Sequence, residues 1–119
     1  QTEMGPSLLD EKTNTLDVVL TEAGIRNGYF DIERRDAHRF FPADSFGTKD
    51  TQKLGEEVLL HHDQKKSPYC TDIRIKSRAL ASPRKRFTAY FNAHEAKEGD
   101  IIRIQRLSER EYRLTFQPR

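Results

Sequence analysis

The stretch Ile73-Arg74-Ile75-Lys76-Ser77-Arg78-Ala79-Leu80-Ala81-Ser82-Pro83-Arg84-Lys85-Arg86-Phe87-Thr88-Ala89-Tyr90-Phe91 organises the reading of this chain. Ile73 and Ile75 alternate with Arg74 and Lys76, and Phe87, Ala89 and Phe91 alternate with Arg86, Thr88 and Tyr90. A period of two predicts a half-buried strand on either side. Between them, Arg74 to Arg86 carries six positive charges and no negative ones, with the turn-forming pair Ser82-Pro83 near its middle. The segment therefore reads as a protruding basic hairpin. A polyanion would account for it, because each Lys or Arg that neutralises a phosphate releases condensed counterions. Arginine adds a rigid fork that can bond two acceptors on a guanine edge, whereas lysine acts as a mobile point charge. A solvated basic loop accounts for the same composition.

Charge is distributed unevenly around this segment. Residues 1–60 carry 7 basic and 12 acidic groups, residues 61–119 carry 14 and 7, so the overall +2 conceals halves of −5 and +7. The positive field belongs to the second half. A length of 119 residues suits one domain with one core. Cys70 has no second cysteine to pair with, and no cysteine cluster suggests structural zinc, which favours a reducing compartment. No apolar run approaches the roughly 18 residues of a membrane span, and no leader pattern is visible, so a soluble chain is expected. The first residue is Gln1, which suggests a fragment of a longer polypeptide.

Residues 1–15 mix Gly5, Pro6, Ser7 and Asn14 with charges and read as a linker or arm, the domain itself being placed at 16–119. Leu16 to Leu20 reads as a buried strand. Thr21 caps a turn or short helix that Asn27-Gly28 ends. Tyr29 to Arg34 predicts a strand with Phe30 and Ile32 inward. Asp36 is the expected N-cap of one helical turn carrying Phe40-Phe41 and stopped by Pro42. A polar loop over Ser45 to Gly55 precedes a short strand, Glu57 to His61. Asn92 to Lys97 reads as a short helix with Asn92 as cap and Glu95 completing the box. The strands Ile101 to Ile104 and Glu111 to Phe116 close a terminal hairpin with Tyr112, Leu114 and Phe116 on one face. About seven short strands and two single-turn helices make the fold class mainly β, an antiparallel barrel or sandwich.

The order of four motifs resembles one family: Leu20-Thr21-Glu22-Ala23-Gly24-Ile25-Arg26-Asn27-Gly28-Tyr29-Phe30-Asp31-Ile32, then His38-Arg39-Phe40-Phe41-Pro42, then Phe87 to Phe91, then Lys97-Glu98-Gly99-Asp100. This is similar to the DNA-binding pseudobarrel, which includes the plant B-three transcription-factor domain and the target-recognition domains of certain bacterial type II restriction endonucleases. The resemblance covers about Asp17 to Phe116. It implies an open seven-stranded, antiparallel or mixed pseudobarrel with two short helices, gripping the DNA major groove between two arms. It places the N-arm at Gly24 to Arg35, with Arg26, Asn27 and Tyr29 near bases and Arg34 and Arg35 on backbone. The C-arm falls at Lys76 to Arg86. Its arginines depart from the Trp- and Ser-rich plant arm and look more like the restriction-enzyme version, which implies a bacterial, cytoplasmic protein tethered to a nuclease domain.

Within those arms the chemistry is uneven. Arg26 suits guanine and Asn27 adenine, although Asn27-Gly28 is also an ordinary turn pair. Tyr29 could stack or bond a phosphate, or simply pack in its strand. Asp31 and Glu33 would orient the neighbouring arginines or accept a cytosine amino group. In the C-arm, Arg78, Arg84, Lys85 and Arg86 carry the charge and Lys76 extends it, while Ser77 and Ser82 could donate hydrogen bonds. Arg74, Lys49 and Lys53 are further candidates for phosphate contacts.

Other functions fit less of the sequence. An autonomous nuclease of the restriction fold needs an acidic residue two before a lysine on a strand, where Ile73-Arg74-Ile75-Lys76 has arginine. A phospholipase-type nuclease needs His-x-Lys, which none of the four histidines provides. His61-His62-Asp63 suggests a metal, but adjacent strand histidines point to opposite faces. The expectation is thus a non-catalytic module for double-stranded DNA, without metal or other cofactor. A B-three-type transcription-factor-like domain and a basic protein-binding β-barrel are the alternatives.

Overall fold

The computed structural model describes residues 5–48 and 53–119. Lys49, one of the candidate phosphate contacts, lies outside them. The strands run β1 (Ser7–Asp10), β2 (Thr15–Val19), β3 (Ile32–Glu33), β4 (Phe46–Gly47), β5 (Val58–His61), β6 (Tyr69–Thr71), β7 (Ile73–Ile75), β8 (Leu80–Pro83), β9 (Ile101–Arg106) and β10 (Glu111–Gln117). Three helices, α1 (Glu22–Asn27), α2 (Arg34–Phe40) and α3 (Thr88–Ala93), and a 3-10 turn at Ala43–Ser45 complete the described elements. Two sheets form, ordered β1-β2-β9-β10-β5-β6 and β3-β8-β7-β4. The pairs β10/β5 and β4/β7 are parallel and the rest antiparallel, so the expected mainly β, mixed architecture is the one observed. The short ladders raise the strand number above the expected seven. No described helix is long and apolar enough to cross a membrane.

Alternation builds the core between the sheets. Leu16 and Val18 of β2, Val58 and Leu60 of β5, Ile102 and Ile104 of β9, and Tyr112 and Leu114 of β10 all point inward and are buried. Phe30, Ile32, Phe40, Phe41, Phe87, Tyr90 and Phe91 fill the space left to them. Tyr112 packs at a tilt against both Phe40 and Phe41 at centroid distances of 5.3 and 5.0 Å, and its hydroxyl donates to the Glu109 carbonyl at 3.0 Å. Burial pushes that phenol up to about 12.

Local signals worked best where a side chain and the backbone agree. The Thr21 hydroxyl accepts from Gly24 N at 3.0 Å to open α1, and Gly28, at φ 82°, closes it with its N–H on Gly24 O. Elsewhere tertiary contacts overruled them. Ser7–Asp10, read as linker, is the edge strand β1, because Ser7 is tied into the body: its hydroxyl donates to Asp36 Oδ2 at 2.8 Å and accepts from Glu33 N. Asp36 is consequently a buried residue inside α2 rather than its cap, which is Glu33. The strand expected over Tyr29 to Arg34 shortens to two residues.

The largest correction falls on the opening stretch itself. Thr88 to Ala93 is helical with Phe87 at its N-cap, since Phe87, Tyr90 and Phe91 also satisfy a 3.6-residue period and those three are buried, while Ala89 is exposed. Asn92, expected as a cap, lies in the last turn of that helix. The partner of β7 is instead β8, which contains Ser82 and Pro83, with Ile73 opposite Pro83 and Ile75 opposite Ala81. The turn is Lys76 to Ala79, where Ser77 Oγ accepts from Ala79 N and Leu80 N at 3.1 Å each. Pro83 fits because it stands at the end of its strand.

Candidate nucleic-acid interface

The two expected arms meet on the outer face of the β3-β8-β7 ladder. Register sets Ile32 opposite Ala81 and Ala81 opposite Ile75, all apolar and turned inward. Side chains one position away therefore lie on the opposite face: Glu33, Leu80 and Arg74, and Lys76 beyond the end of β7, while Ser82 on that face is itself fully buried. Lys76 Nζ reaches across to Asp31 Oδ1 at 2.7 Å, both side chains about one-fifth exposed, and sits 4.1 Å from the centre of the Tyr29 ring. Arg34 adds a second tie, its N–H donating to Ala79 O at 2.8 Å and its guanidinium to Ser77 O at 3.3 Å and to His38 at 3.2 Å. The N-arm and C-arm are thus fused into one ridge. Arg35 is highly exposed and held by Glu33 at 3.3 Å, and with Arg78 and Leu80 these two line an open groove beside the turn.

The basic run divides along β8. Four strand residues carry Arg84 roughly 13 Å from the turn. There it makes a two-pronged pair with Asp72, Nε to Oδ1 at 2.7 Å and Nη2 to Oδ2 at 3.0 Å, and also donates to Thr48 O at 2.7 Å. Burial opposes ionisation of Asp72, but the bonds from Arg84 and from Gly55 N outweigh it and hold the carboxyl below the usual carboxylate range. Ser82 is fully buried and donates to Pro83 O. Arg84 and Ser82, expected in the C-arm, are accordingly engaged in the protein's own hydrogen bonding. Asp72 was not among the residues singled out, although its place just before β7 puts it opposite Arg84 once the turn is at Lys76 to Ala79.

The remaining candidates fall between these extremes. Arg86 donates to Asn27 O at 2.9 Å, and the Asn27 carboxamide donates back along α1 to Ala23 O at 2.9 Å. Arg26, Lys53 and Lys85 are exposed. Among the described residues Arg26, Arg74, Arg78 and Lys85 have no side-chain acceptor. Arg74 differs from the other three, being half-buried with its Nε fully covered and unbonded. An N–H stranded in this way costs stability. His61, His62 and Asp63 go to separate partners, Glu111, Ser67 O and His94, rather than converging.

No protein-family model and no curated protein sequence matches the chain. Solved structures do. The Arabidopsis FUS3–DNA complex aligns with a TM-score of 0.61 at 15% identity, covering 85% of this chain and 93% of that one. The complex of the Arabidopsis thaliana transcription factor LEC2 with DNA aligns at 0.59 and 14% identity, covering 84% and 88%. The fold is that of the B-three-type pseudobarrel. At such identities the likeness resides in the path of the backbone, and the B-three-type barrel here carries its own set of side chains on the arms.

Proposed function

We propose that this B-three-type domain recognises double-stranded DNA through the major groove, with the fused-arm ridge and the β3-β8-β7 face as its reading surface. One observation carries the reading: the carboxylates of this face are already held by cations, Asp31 by Lys76, Glu33 by Arg35 and Asp72 by Arg84, while Arg78 is exposed and without an acceptor among the described residues. A surface with its anions neutralised and its spare groups all donors is complementary to phosphates and to the acceptor-rich guanine edge. Both solved structures named above are DNA complexes, which supports the same direction. Recognition of this kind is stoichiometric binding and asks for no cofactor or catalytic group from the domain.

The wider setting divides into two proposals. A transcription-factor-like role is favoured by the likeness to LEC2. A target-recognition role in a bacterial restriction endonuclease rests on the arginine-rich C-arm alone, of which Arg84 is internally paired. Selection from a randomised duplex pool, followed by mobility shifts at two salt concentrations, tests the shared core. A sequence-selective component that persists at the higher salt is expected. Equal binding to every duplex and to heparin would replace DNA recognition with a basic protein-binding or polyanion-binding barrel.

A further inference from the structure

We propose that Asp31 is a positioning residue that sets specificity by holding Lys76, an inference that rests on the DNA reading above. The geometry is that of a latch between arms. Asp31 precedes β3, Lys76 follows β7, and β8 lies between them, so the 2.7 Å pair spans the whole width of the ladder. Tyr29 lies beneath the ammonium at 4.1 Å. A free lysine on four methylenes samples many positions and takes whichever phosphate is nearest. Held by a carboxylate on one side and an aromatic face on another, this ammonium keeps its remaining hydrogens for one direction, outward from the ridge.

Two consequences follow from the charge arithmetic. The carboxylate lowers the attraction of the ridge for any phosphate backbone, and it converts Lys76 from a mobile phosphate contact to a directed donor. Removing it therefore strengthens binding to random duplex and weakens discrimination. Arg34 and Glu33 share the ridge but neither contacts the Lys76–Asp31 pair, so they do not substitute for it.

A double-mutant cycle with D31N, K76Q and the double variant tests this in the full chain. In D31N, random-duplex affinity rises about threefold at low salt with a steeper salt dependence, and preference for the selected duplex falls about tenfold. In the K76Q background D31N has no further effect on that preference. Independent, multiplying effects in the cycle overturn the proposal. A readout without DNA accompanies it: after reductive methylation with carbon-13, the Lys76 methyl signal lies upfield of the other lysines because of the Tyr29 ring, and returns to them in D31N while the amide spectrum stays folded. An unmoved signal shows that Asp31 does not hold Lys76 and also overturns it. A signal that moves, in a protein that selects no duplex from the pool, sinks the DNA reading and the specificity role together and leaves the latch as architecture.

Discussion

Arg78 and Arg84 belong to one basic run and stand on the same hairpin, yet the protein uses them in opposite ways. At the foot of β8, Arg84 is only one-fifth exposed, and its guanidinium is divided between the nearly buried Asp72 and Thr48 O. At the turn, Arg78 is exposed and without an acceptor among the described residues. The deciding variable is the neighbour across the ladder. Where register brings a buried carboxylate within reach, arginine becomes part of the framework, and where it brings none, arginine is left for a partner molecule. Each half of this contrast can be broken separately.

The largest expected effect is on the framework side. Arg84→Ala leaves Asp72 buried with only Gly55 N and costs about 3 kcal/mol in urea denaturation. Because the folded Asp72 carboxyl sits below its ordinary value of 3.8, its stabilisation is complete above that pH and is lost as the pH falls through the lower folded value. The variant lacks that contribution, so its stability and the wild type's converge below pH 3.8. A protein of undiminished stability that loses only DNA selectivity would move Arg84 to the reading side.

Gly47→Ala probes the same pair from the other direction. A methyl there would lie 2.5 Å from Asp72 Oδ2, 2.6 Å from Lys53 O and 2.8 Å from Arg84 Nη2, too close for each. About 2 kcal/mol of lost stability is expected, measurable by denaturant titration. An unchanged denaturation midpoint would mean the pair has room to give, and the contrast between foot and turn would weaken.

On the open side the effects move from stability to binding. Arg74→Met removes a covered, unbonded Nε, so stability holds or rises while affinity for a selected duplex falls about tenfold, or roughly 1.4 kcal/mol, by titration. Arg78→Ala is the mildest change. It leaves the melting curve within about 0.5 kcal/mol and lowers affinity a few fold for all duplexes, reducing the slope of log affinity against log salt by roughly 0.9. A sequence-dependent loss would promote Arg78 from backbone contact to base reading.

How far these distinctions were legible depends on the range of the interaction. Thr21, Gly28 and the alternation of β9 and β10 announced their structure because a cap or a period of two is written in adjacent residues. Phe87 to Phe91 satisfied two periods at once, and burial of Tyr90 rather than Ala89 selected the helix. Ser7 looked like linker because its partners, Glu33 and Asp36, lie 26 and 29 positions away. Ser82-Pro83 looked like a turn because the pair is common in turns, but the Ser77 hydroxyl provides the bonds that reverse the chain.

Sequence alone determined the class of fold, the sign of the charge and the two segments that bear it, since hydrophobic period and ionisable groups are properties of residues in order. Tertiary structure alone decided which of those charges remain available. Pairing Arg84 with Asp72 and Lys76 with Asp31, and leaving Arg74 Nε without an acceptor among the described residues, depends on register across β8 and on burial, and a charge's energy is set by what lies within a few ångströms of it rather than by its neighbours along the chain.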